Sequence, residues 1–591
     1  MQILQLKHEL HVLLTSVISA ELPAVSEQFS TWPIDQLFSV PEHHEHGFLS
    51  TNAALQLSSV LSKTEKTNPR QVATTLLPSL KEAITSHTEL KRFIKDIDIA
   101  GAGFINYHAT DELYLSTVAE VVENGKAWGH NTLLKNQHIL VEFTDPNPFK
   151  VFHIGHLMSN SIGESISRLY EASGAQVTRL CYQGDVGMHV AKTIWAWQKS
   201  ITDQESSVAD LEQKSLDEKV HHLGVWYSKG AAVYEDGSDE EKEAIRVTNQ
   251  AIFARSNAQI NQLFDQGKQW SLDAFEVIYQ KLGTKFQKYY FESETAVSGE
   301  KIVRQHLGEI FIESQGAIIF PGEIYGLHSR VFINSKGLPT YEAKELGLAV
   351  TKDMDFKYDL SVVITGNEVN DYFRVLLCAI NTIRPDIYKK TAHIGHGMLR
   401  LPQGKMSSRS GNIITGEGLL EIISDQVKEV NPESDDELSS TLAITALKFS
   451  LLKQNIGKDV IFDINEAVSL HGATGVYLQY THARTSSLLH KGDFDPTAVD
   501  VSKLQLTKAS RKLYRDLYNF PHMLAQAAVN KSPNLVANYL LDIAQSYNSY
   551  YAENRIVGSE QEADGLLISY LVKATVANGL KTLGITPVDK L

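Results

Sequence analysis

The fold is decided by the stretch HILVEFTDPNPFKVFHIGHL, residues 138–157. It begins with a run of β-favouring residues and passes through a Pro/Asn loop into a helix. That helix carries apolar residues on one face and ends near Gly174, a residue type that commonly follows a helix. VTRLCY, residues 177–182, is the next strand-like run. The order strand, loop, helix, strand predicts the beginning of a parallel α/β sheet.

The 591 residues divide into three predicted domains around this unit. Residues 1–108 combine helical periodicity with a Gly-containing strand, which indicates a small α+β domain. Residues 109–437 continue the α/β pattern and carry a polar helical insert at about 195–265. Residues 438–591 read as an all-helical domain. The fold class is therefore multidomain α/β with a Rossmann-like parallel sheet at its centre.

Three later apolar runs extend the predicted sheet. AIIF (317–320), RVFIN (330–334) and SVVITG (361–366) are strand-like and are assigned to its second half.

Composition excludes several classes of protein. The 55 Lys and Arg against 70 Asp and Glu give a net charge of −15, which argues against a histone-like or basic-tailed nucleic-acid binder. The total does not exclude a local basic face. Two cysteines, Cys181 and Cys378, are too few for a Cys-rich zinc module, so no zinc is expected. No signal peptide and no apolar run of about 18 residues is recognised, so we expect a cytoplasmic protein with no membrane partner.

Two histidines stand at the start of the helix after the first strand. His153 and His156 flank Gly155, where backbone N–H groups and the helix dipole favour an anion such as phosphate. Imidazole N–H groups in that place can stabilise charge that develops on a reacting phosphate. The alternative interpretation is a pair of ordinary histidines, because short motifs are weak when they occur alone.

A second motif strengthens the first. KMSSRSGN, residues 405–412, is a Gly/Ser-rich loop in which Lys405 and Arg409 are four residues apart. Two cations on such a loop are suited to hold a departing pyrophosphate. A solvated turn is the alternative for the loop alone, and an α/β context that already contains HIGH disfavours it.

The chain resembles class I aminoacyl-tRNA synthetases, whose signatures are HIGH and KMSKS, and within them the arginyl-tRNA synthetase family. The motifs that carry this resemblance occur in the expected order. They are EHGFLSTNAALQL (45–57), AGAGFIN (100–106), VEFTDPNPFKVFHIGHL (141–157), TYEAKELG (340–347), GNEVNDYF (366–373), KMSSRSGN (405–412) and GVYLQYTHAR (475–484). Coverage is nearly end to end, and only the insert at about 195–265 lacks a recognised motif.

HIGH occurs a second time at residues 393–396. GMLRL follows this copy where the first is followed by an amphipathic helix, so no helix N-terminus is available to bind phosphate. We interpret it as a sheet strand that leads to the loop, with Gly397 and Met398 lining the adenine pocket.

Selection of arginine requires a pocket that binds its guanidinium group. A guanidinium is planar and permanently charged, so its pocket requires carboxylates. The resemblance implies arginine-binding roles for Glu142, Asn147, Tyr341 and Glu345. Glu345 stands where the family usually has Asp, which lengthens the side chain by one methylene group.

The resemblance also implies catalytic and nucleotide-binding residues. The catalytic residues are His153, His156, Lys405 and Arg409. The ATP-binding residues are Gly155, Gly366, Glu368, Gly397, Met398 and Ser407. Val369 departs from the Gln that the family commonly has at this position, so one substrate hydrogen bond is lost or supplied by another group.

The helical C-terminal domain resembles the anticodon-binding domain of the family. Tyr477, Tyr480 and Arg484 share one helical face, where aromatic rings can stack on unpaired bases and Arg can contact phosphate or a base edge. A plain core stripe is the alternative.

The family resemblance implies an arginine–tRNA ligase that uses ATP with substrate-borne Mg²⁺, L-arginine and tRNA(Arg), as a monomer that needs bound tRNA before it activates arginine. Three alternatives share part of the pattern. They are another class I synthetase such as the class I lysine type, a small HIGH-type nucleotidyltransferase, and a non-catalytic tRNA-binding paralogue.

Overall fold

The first hundred residues fold around a four-stranded antiparallel sheet. A computed structural model describes residues 2–41, 43–62, 67–204, 208–402, 415–504 and 506–591 of the chain. The elements of this part are α1 (Ile3–Glu21), α2 (Pro23–Ser30), α3 (Ile34–Leu37), β1 (Phe38–Ser39), β2 (Leu49–Thr51), α4 (Ala53–Leu61), α5 (Pro69–Ser86), α6 (Leu90–Phe93), β3 (Ile94–Ala100) and β4 (Phe104–Ala109). The sheet order is β1-β2-β4-β3, and AGAGFIN spans the β3–β4 hairpin.

The middle of the chain forms the α/β part. Its elements as far as the third strand of the parallel sheet are α7 (Asp111–Asn124), β5 (His138–Glu142), α8 (Ile154–Ala172), β6 (Gln176–Gln183), α9 (Met188–Thr202), α10 (Val208–Glu212), α11 (Leu216–Asp236), α12 (Asp239–Ala254), α13 (Ala258–Lys281) and β7 (Lys288–Phe291). It continues with α14 (Glu292–Gln305), β8 (Ile312–Ser314), β9 (Ala317–Phe320), β10 (Arg330–Ile333), α15 (Tyr341–Asp355), β11 (Leu360–Gly366), α16 (Asn370–Ile383), α17 (Pro385–Lys389), β12 (Thr391–His396) and β13 (Leu399–Arg400).

Five of these strands form the predicted parallel sheet, in the order β12-β11-β5-β6-β7. The chain runs outward from β5 in one direction and returns to β11 on the other side. The two halves of the sheet therefore meet between β5 and β11, and ligands of open α/β sheets bind outside the carboxyl ends of the strands at such a point.

Two of the predicted sheet strands are wrong. Residues 317–320 and 330–334 belong to β9 and β10 of a separate antiparallel sheet, order β10-β9-β8, and only 361–366 lies in the parallel sheet. The fifth parallel strand is instead β7, which the sequence analysis missed. Short apolar runs look alike in any sheet, because strand pairing depends on contacts far along the chain.

The insert, predicted as polar and helical, is helical and also contains an apolar core. Its helices bury a separate apolar core in which Trp197 stacks on Trp226 at 4.8 Å and lies against Trp270 at 5.2 Å. Charged residues cover the outside of this core.

The C-terminal part is helical apart from one short strand. Its elements are α18 (Gly416–Val430), α19 (Asp436–Leu452), β14 (Val460–Ile461), α20 (Ile464–Ala467), α21 (Gly475–Lys491), α22 (Lys508–Tyr518), α23 (Phe520–Asn530), α24 (Pro533–Glu553) and α25 (Glu562–Thr582). No helix within the described residues is both long and apolar enough to cross a bilayer.

Helix α8 is buried on both sides. One side packs on β5, β6 and β11, and the other packs on α19, α23, α24 and α25 of the C-terminal part. Most of its buried positions are apolar or small, and Asn160 and Glu164 are buried polar exceptions. The C-terminal helices are thus part of the support of the central sheet.

We expect Gly163→Ala in α8 to destabilise the protein by about 1–3 kcal/mol, the usual cost of overpacking a core. A Cβ atom at Gly163 would lie 2.1 Å from Cγ of Phe143, which cannot move without disturbing the sheet. Urea unfolding measures the free-energy change. Gly457→Ala is the control, since no atom lies within 4 Å of its new Cβ; equal stability of the two variants would contradict the prediction.

Candidate active site

The carboxyl ends of three neighbouring strands define the candidate site. Glu142 ends β5, Gly366 ends β11 and His396 ends β12. The first HIGH motif follows β5 and faces the ends of the other two strands. The structure therefore brings together, at one edge of the sheet, motifs that are more than 200 residues apart in the chain.

The loop between β5 and α8 has an unusual backbone. Thr144, Asp145 and Phe149 have φ values of 80°, 47° and 67°, although none is glycine. For a β-branched residue such as Thr144 this conformation is costly and persists only where the surroundings hold it. Oγ of Ser159 accepts the N–H of Thr144 at 2.9 Å, and Oγ of Ser271 accepts that of Phe149 at 3.0 Å. These contacts fix the loop.

The two histidines of the first motif lock each other in place. Nδ1 of His153 accepts the N–H of Gly155 at 3.1 Å, and Nδ1 of His156 accepts the N–H of His153 at 3.1 Å. The rings stack with centroids 3.6 Å apart. Since each Nδ1 is an acceptor, the neutral ring carries its proton on Nε2, which can donate to an oxyanion. Burial, with neighbouring His153 and Lys150, lowers the pKa of His156 well below its usual value, which keeps it neutral.

Lys150 is a site residue that the sequence analysis missed. Burial lowers the pKa of His153, His156 and His189, and the positive charge of Lys150 lowers each of them further. Burial and Lys192 lower the pKa of Lys150 itself. A cation beside a helix N-terminus reinforces an anion site. The signal in the sequence is a lysine three residues before the first histidine of the motif.

Part of the second motif lies beyond what the structure describes. Lys405, Ser407 and Arg409 fall in residues 403–414, outside the described residues. The chain after this gap is attached to the first motif, because Thr415 forms a β-bridge with His153 and the N–H of Gly416 donates to the carbonyl of Phe152 at 2.7 Å.

The second HIGH sequence is a strand, as predicted. His393 lies in β12 with its ring stacked on Phe373 at 3.8 Å and its Nε2 2.8 Å from Oγ1 of Thr365. After the strand, the N–H of Gly397 donates to the carbonyl of Ile456, and that of Met398 to Asp459 at 2.9 Å. The predicted adenine-binding pair is thus held at the sheet edge by the loop before β14.

Gly366 and Glu368, two of the predicted ATP-binding residues, lie near the histidines. Gly366 ends β11, and a Cβ atom there would meet the carboxylate of Glu368 at 2.2 Å. Burial lowers the pKa of both His153 and His396, and the negative charge of the Glu368 carboxylate opposes this shift at both rings. Val369 packs with an apolar cluster around Phe373, so it offers a substrate no polar contact.

Four carboxylates converge behind the histidines. Glu142, 1% exposed, accepts from Nζ of Lys352 at 2.7 Å. Glu292, the first residue of α14, accepts from Nζ of Lys344 at 2.6 Å. Asp145 and Glu345 complete the set, since burial and then repulsion from Glu142 raise the pKa of both, and Asp145 and Glu292 add to the repulsion on Glu345. Four carboxyl groups and only two ammonium groups that hydrogen-bond to them give this cluster an excess of acidic side chains.

The excess appears in the pKa values. Burial, followed by repulsion from Glu142, raises the pKa of both Asp145 and Glu345 well above the usual range. Burial also raises the pKa of Glu292 despite its ion pair with Lys344. Carboxyl groups in this condition gain most from a cationic ligand, because a new positive charge relieves both desolvation and mutual repulsion.

Glu292 is a second residue that the sequence analysis missed. A Cβ atom on Gly184 would lie 2.2 Å from Oδ1 of Asn147 and 3.3 Å from Oε1 of Glu292. Gly184 therefore leaves a gap between these two side chains. The signal was an acid directly after a strand-like run, KYYF, which had not been recognised as part of the sheet.

The predicted pair on α15 is divided. Glu345 faces the carboxylate cluster, whereas Tyr341, one turn earlier, is 63% exposed and lies at the rim, where its carbonyl accepts from the hydroxyl of Tyr372 at 3.2 Å.

Comparison with known families agrees with this geometry. The family model for "tRNA synthetases class I (R), catalytic domain" matches residues 117–464, that for "Arginyl tRNA synthetase N terminal domain" matches 12–109, and that for "DALR anticodon binding domain" matches 478–591. The chain belongs to the arginyl-tRNA synthetase family.

Individual relatives support the assignment. The arginine–tRNA ligase of Flavobacterium psychrophilum is 29% identical over 509 residues, covering 81% of this chain and 83% of its own. The arginine–tRNA ligase of Bdellovibrio bacteriovorus is 29% identical over 553 residues, which cover 90% of this chain and 91% of that protein. The structure of Thermus thermophilus arginyl-tRNA synthetase shares the fold with a TM-score of 0.78 over 99% of this chain and 100% of that one, at 21% identity.

The DALR region of this synthetase presents the predicted tRNA-binding face. On α21, Arg484 donates to Oδ1 of Asn548 at 2.8 Å and to the hydroxyl of Tyr480, and its guanidinium lies 4.5 Å from the centre of the Tyr480 ring. The Nδ2 group of Asn548 also donates to the hydroxyl of Tyr477 at 2.9 Å. The three predicted residues therefore share one cluster on α21 and α24.

We expect His189→Gln to flatten the acid limb of the synthetase's stability profile. Burial, with Lys150, lowers the pKa of His189 to about 3, whereas the unfolded value is about 6.5. Only the unfolded state gains a proton between these values, so stability falls as pH drops. From pH 6.5 to 5 the loss is about 2 kcal/mol for this group.

Urea unfolding at several pH values tests the effect. Glutamine can keep the donor to the carbonyl of Gly184, which Nε2 of His189 contacts at 2.9 Å. The same acid slope in wild type and variant would contradict the assignment.

Proposed function

We propose that this chain is an arginine–tRNA ligase whose carboxylate cluster selects the guanidinium of arginine. The observation that carries the proposal is the cluster of Glu142, Asp145, Glu292 and Glu345, with only two hydrogen-bonded ammonium groups, near the helix that begins at the histidine pair. A pocket of this kind suits a substrate with a positive side chain and a negative reacting end. Glu142 and Glu345, with Glu292, face the guanidinium, Asn147 holds the amino-acid end, and Tyr341 covers the rim.

In the activation step, the arginine carboxylate attacks the α-phosphorus of ATP and pyrophosphate leaves. The carboxylate is already ionised at neutral pH, so no strong general base is required. Nε2–H groups of His153 and His156, with the Lys150 ammonium, stabilise the charge on the phosphate. Lys405 and Arg409 hold the pyrophosphate, and Mg²⁺ arrives with ATP as part of the substrate. The adenylate then passes arginine to the terminal adenosine of tRNA.

The remaining chain serves the tRNA. We assign residues 1–108 and 438–591 to tRNA binding and 109–437 to catalysis, with the synthetase acting as a cytoplasmic monomer. Bound tRNA is required before arginine is activated. Retention of both histidines, Lys405 and Arg409 disfavours a non-catalytic paralogue.

The first test is aminoacylation of total tRNA with each amino acid in turn. We expect charging with arginine alone, and arginine-dependent exchange of pyrophosphate into ATP only when tRNA is added. Charging with another amino acid would refute the substrate, and full exchange without tRNA would refute the tRNA requirement.

The second test concerns Glu345. We expect Glu345→Gln to weaken arginine binding about 10- to 100-fold, since a charge-assisted hydrogen bond contributes about 1.5–3 kcal/mol. Burial and repulsion from Glu142 raise the pKa of Glu345, and a guanidinium lowers it, so arginine binding releases a proton and tightens as pH rises.

Calorimetric titration in two buffers of different ionisation enthalpy measures both the affinity and the proton release. The exposed Glu294→Gln on α14 is the matched control and should change neither. An unchanged affinity and proton count in the Glu345 variant would remove Glu345 from the arginine pocket.

A further inference from the structure

Two helix ends meet on the flank of α8. Helix α13, at the end of the insert, and α25, the last helix of the chain, both terminate there. Arg168 of α8 donates from Nη2 to the carbonyl of Gly283 at 2.9 Å and from Nη1 to that of Lys581 at 2.9 Å. One guanidinium thus joins the carboxyl end of α13 to that of α25.

A second basic side chain makes the same connection, and burial lowers its pKa to about 7. Lys448 of α19 is fully buried and donates from Nζ to the carbonyl of Leu282 at 2.5 Å and to that of Gly584 at 2.8 Å. Carboxyl ends of helices carry partial negative charge, so cations between them are favourable. We call Arg168 and Lys448 the cation clamp.

Glu164 and Gly584 lie next to the clamp and accommodate its charge and its bulk. Glu164 of α8 accepts from Nε of Arg168 at 2.6 Å and from Nε of Arg179 at 2.9 Å, which balances the buried charge. Gly584 has φ +71°, and a Cβ atom there would lie 3.1 Å from Nζ of Lys448. Only glycine takes this backbone conformation without strain and leaves room for the ammonium.

From the clamp, hydrogen bonds lead to α21. The segment after Gly584 is held by Gln479, whose Nε2 donates to the carbonyl of Thr586 at 2.7 Å and whose Oε1 accepts from the N–H of Val588 at 2.9 Å. His482 contacts the carbonyl of Val588 at 2.8 Å. Gln479 and His482 lie on the same helix as the predicted anticodon-binding cluster.

In the other direction, the clamp leads to the catalytic histidines. The last two turns of α13 carry Phe275 and Tyr279, whose rings lie 6.0 and 6.3 Å from that of Phe152. Phe152 in turn packs on His156 at 4.9 Å. Helix α8 carries Arg168 and begins at the histidine pair. The two helices that the clamp contacts on the catalytic side, α8 and α13, therefore both help to position the imidazoles.

We propose that the cation clamp couples the anticodon-binding face to the catalytic histidines, with Lys448 and Arg168 as positioning residues. A base bound on α21 shifts the segment that follows α25, and the clamp transmits that shift to α8 and α13. The inference rests on the proposed function, because it supplies a physical route by which tRNA controls activation.

The experiment compares two RNA substrates. Full-length tRNA(Arg) engages both α21 and the catalytic site, whereas a minihelix with the acceptor stem alone engages only the latter. We expect Lys448→Met to lower kcat/KM for full-length tRNA about tenfold, chiefly in kcat, and to change that for the minihelix less than about twofold. A defect that merely loosens the fold would affect both substrates equally.

Ile245→Ala is the control for lost stability. Ile245 is fully buried in the apolar core of the insert, to which no part in tRNA binding is assigned. We expect this variant to lose stability and to leave the ratio of the two substrates unchanged. If Lys448→Met does not fold, Arg168→Met, at a half-buried site, must lower the ratio in the same direction.

Equal losses on both substrates, no loss on either, or a wild type that charges both substrates equally would overturn the coupling. Pyrophosphate exchange by the wild type without tRNA is measured separately. Full exchange there refutes the tRNA requirement, while the substrate ratio still decides the role of the clamp.

Discussion

The structure depends on the burial of helix α8 between two apolar surfaces. Its amino end must be open, since the imidazoles that we propose to contact phosphate lie there. The rest of the helix is covered by the parallel sheet on one side and by the C-terminal helices on the other. This arrangement makes the helical domain a structural part of the active site. It also explains the small residues of α8, such as Gly163, which lets the ring of Phe143 approach the helix.

Electrostatics in the pocket follow from the same close packing. Carboxylates that are partly shielded from water and lie near one another hold their protons more tightly, in agreement with the raised pKa values of Asp145 and Glu345. Lys344 and Lys352 compensate only two of the four acids. The uncompensated charge favours a cationic side chain, while the histidines and Lys150, at the end of β5, favour phosphate. The preference for a cation and the preference for an anion therefore lie close together, around the single loop that joins β5 to α8.

The loop between β5 and α8 has a strained backbone. Thr144, Asp145 and Phe149 occupy left-handed backbone conformations that non-glycine residues avoid. Side chains from α8 and α13 hold this backbone through hydrogen bonds to its N–H groups. Helix α13, which belongs to the end of the insert, thus contributes to the geometry of the loop as well as to the cation clamp.

The sequence by itself determined the local features of this protein. A β-favouring run followed by a histidine pair predicted β5 and the start of α8, because strand propensity and the anion preference of a helix N-terminus are local properties. The family resemblance was equally readable, since ordered motifs need no contacts. Only the tertiary structure decided which strands pair, so 317–320 and 330–334 were assigned to the wrong sheet and β7 was missed. It also revealed Glu292 and Lys150 as neighbours of the site and the clamp at Lys448, because burial and proximity between residues distant in the chain arise only when the elements pack.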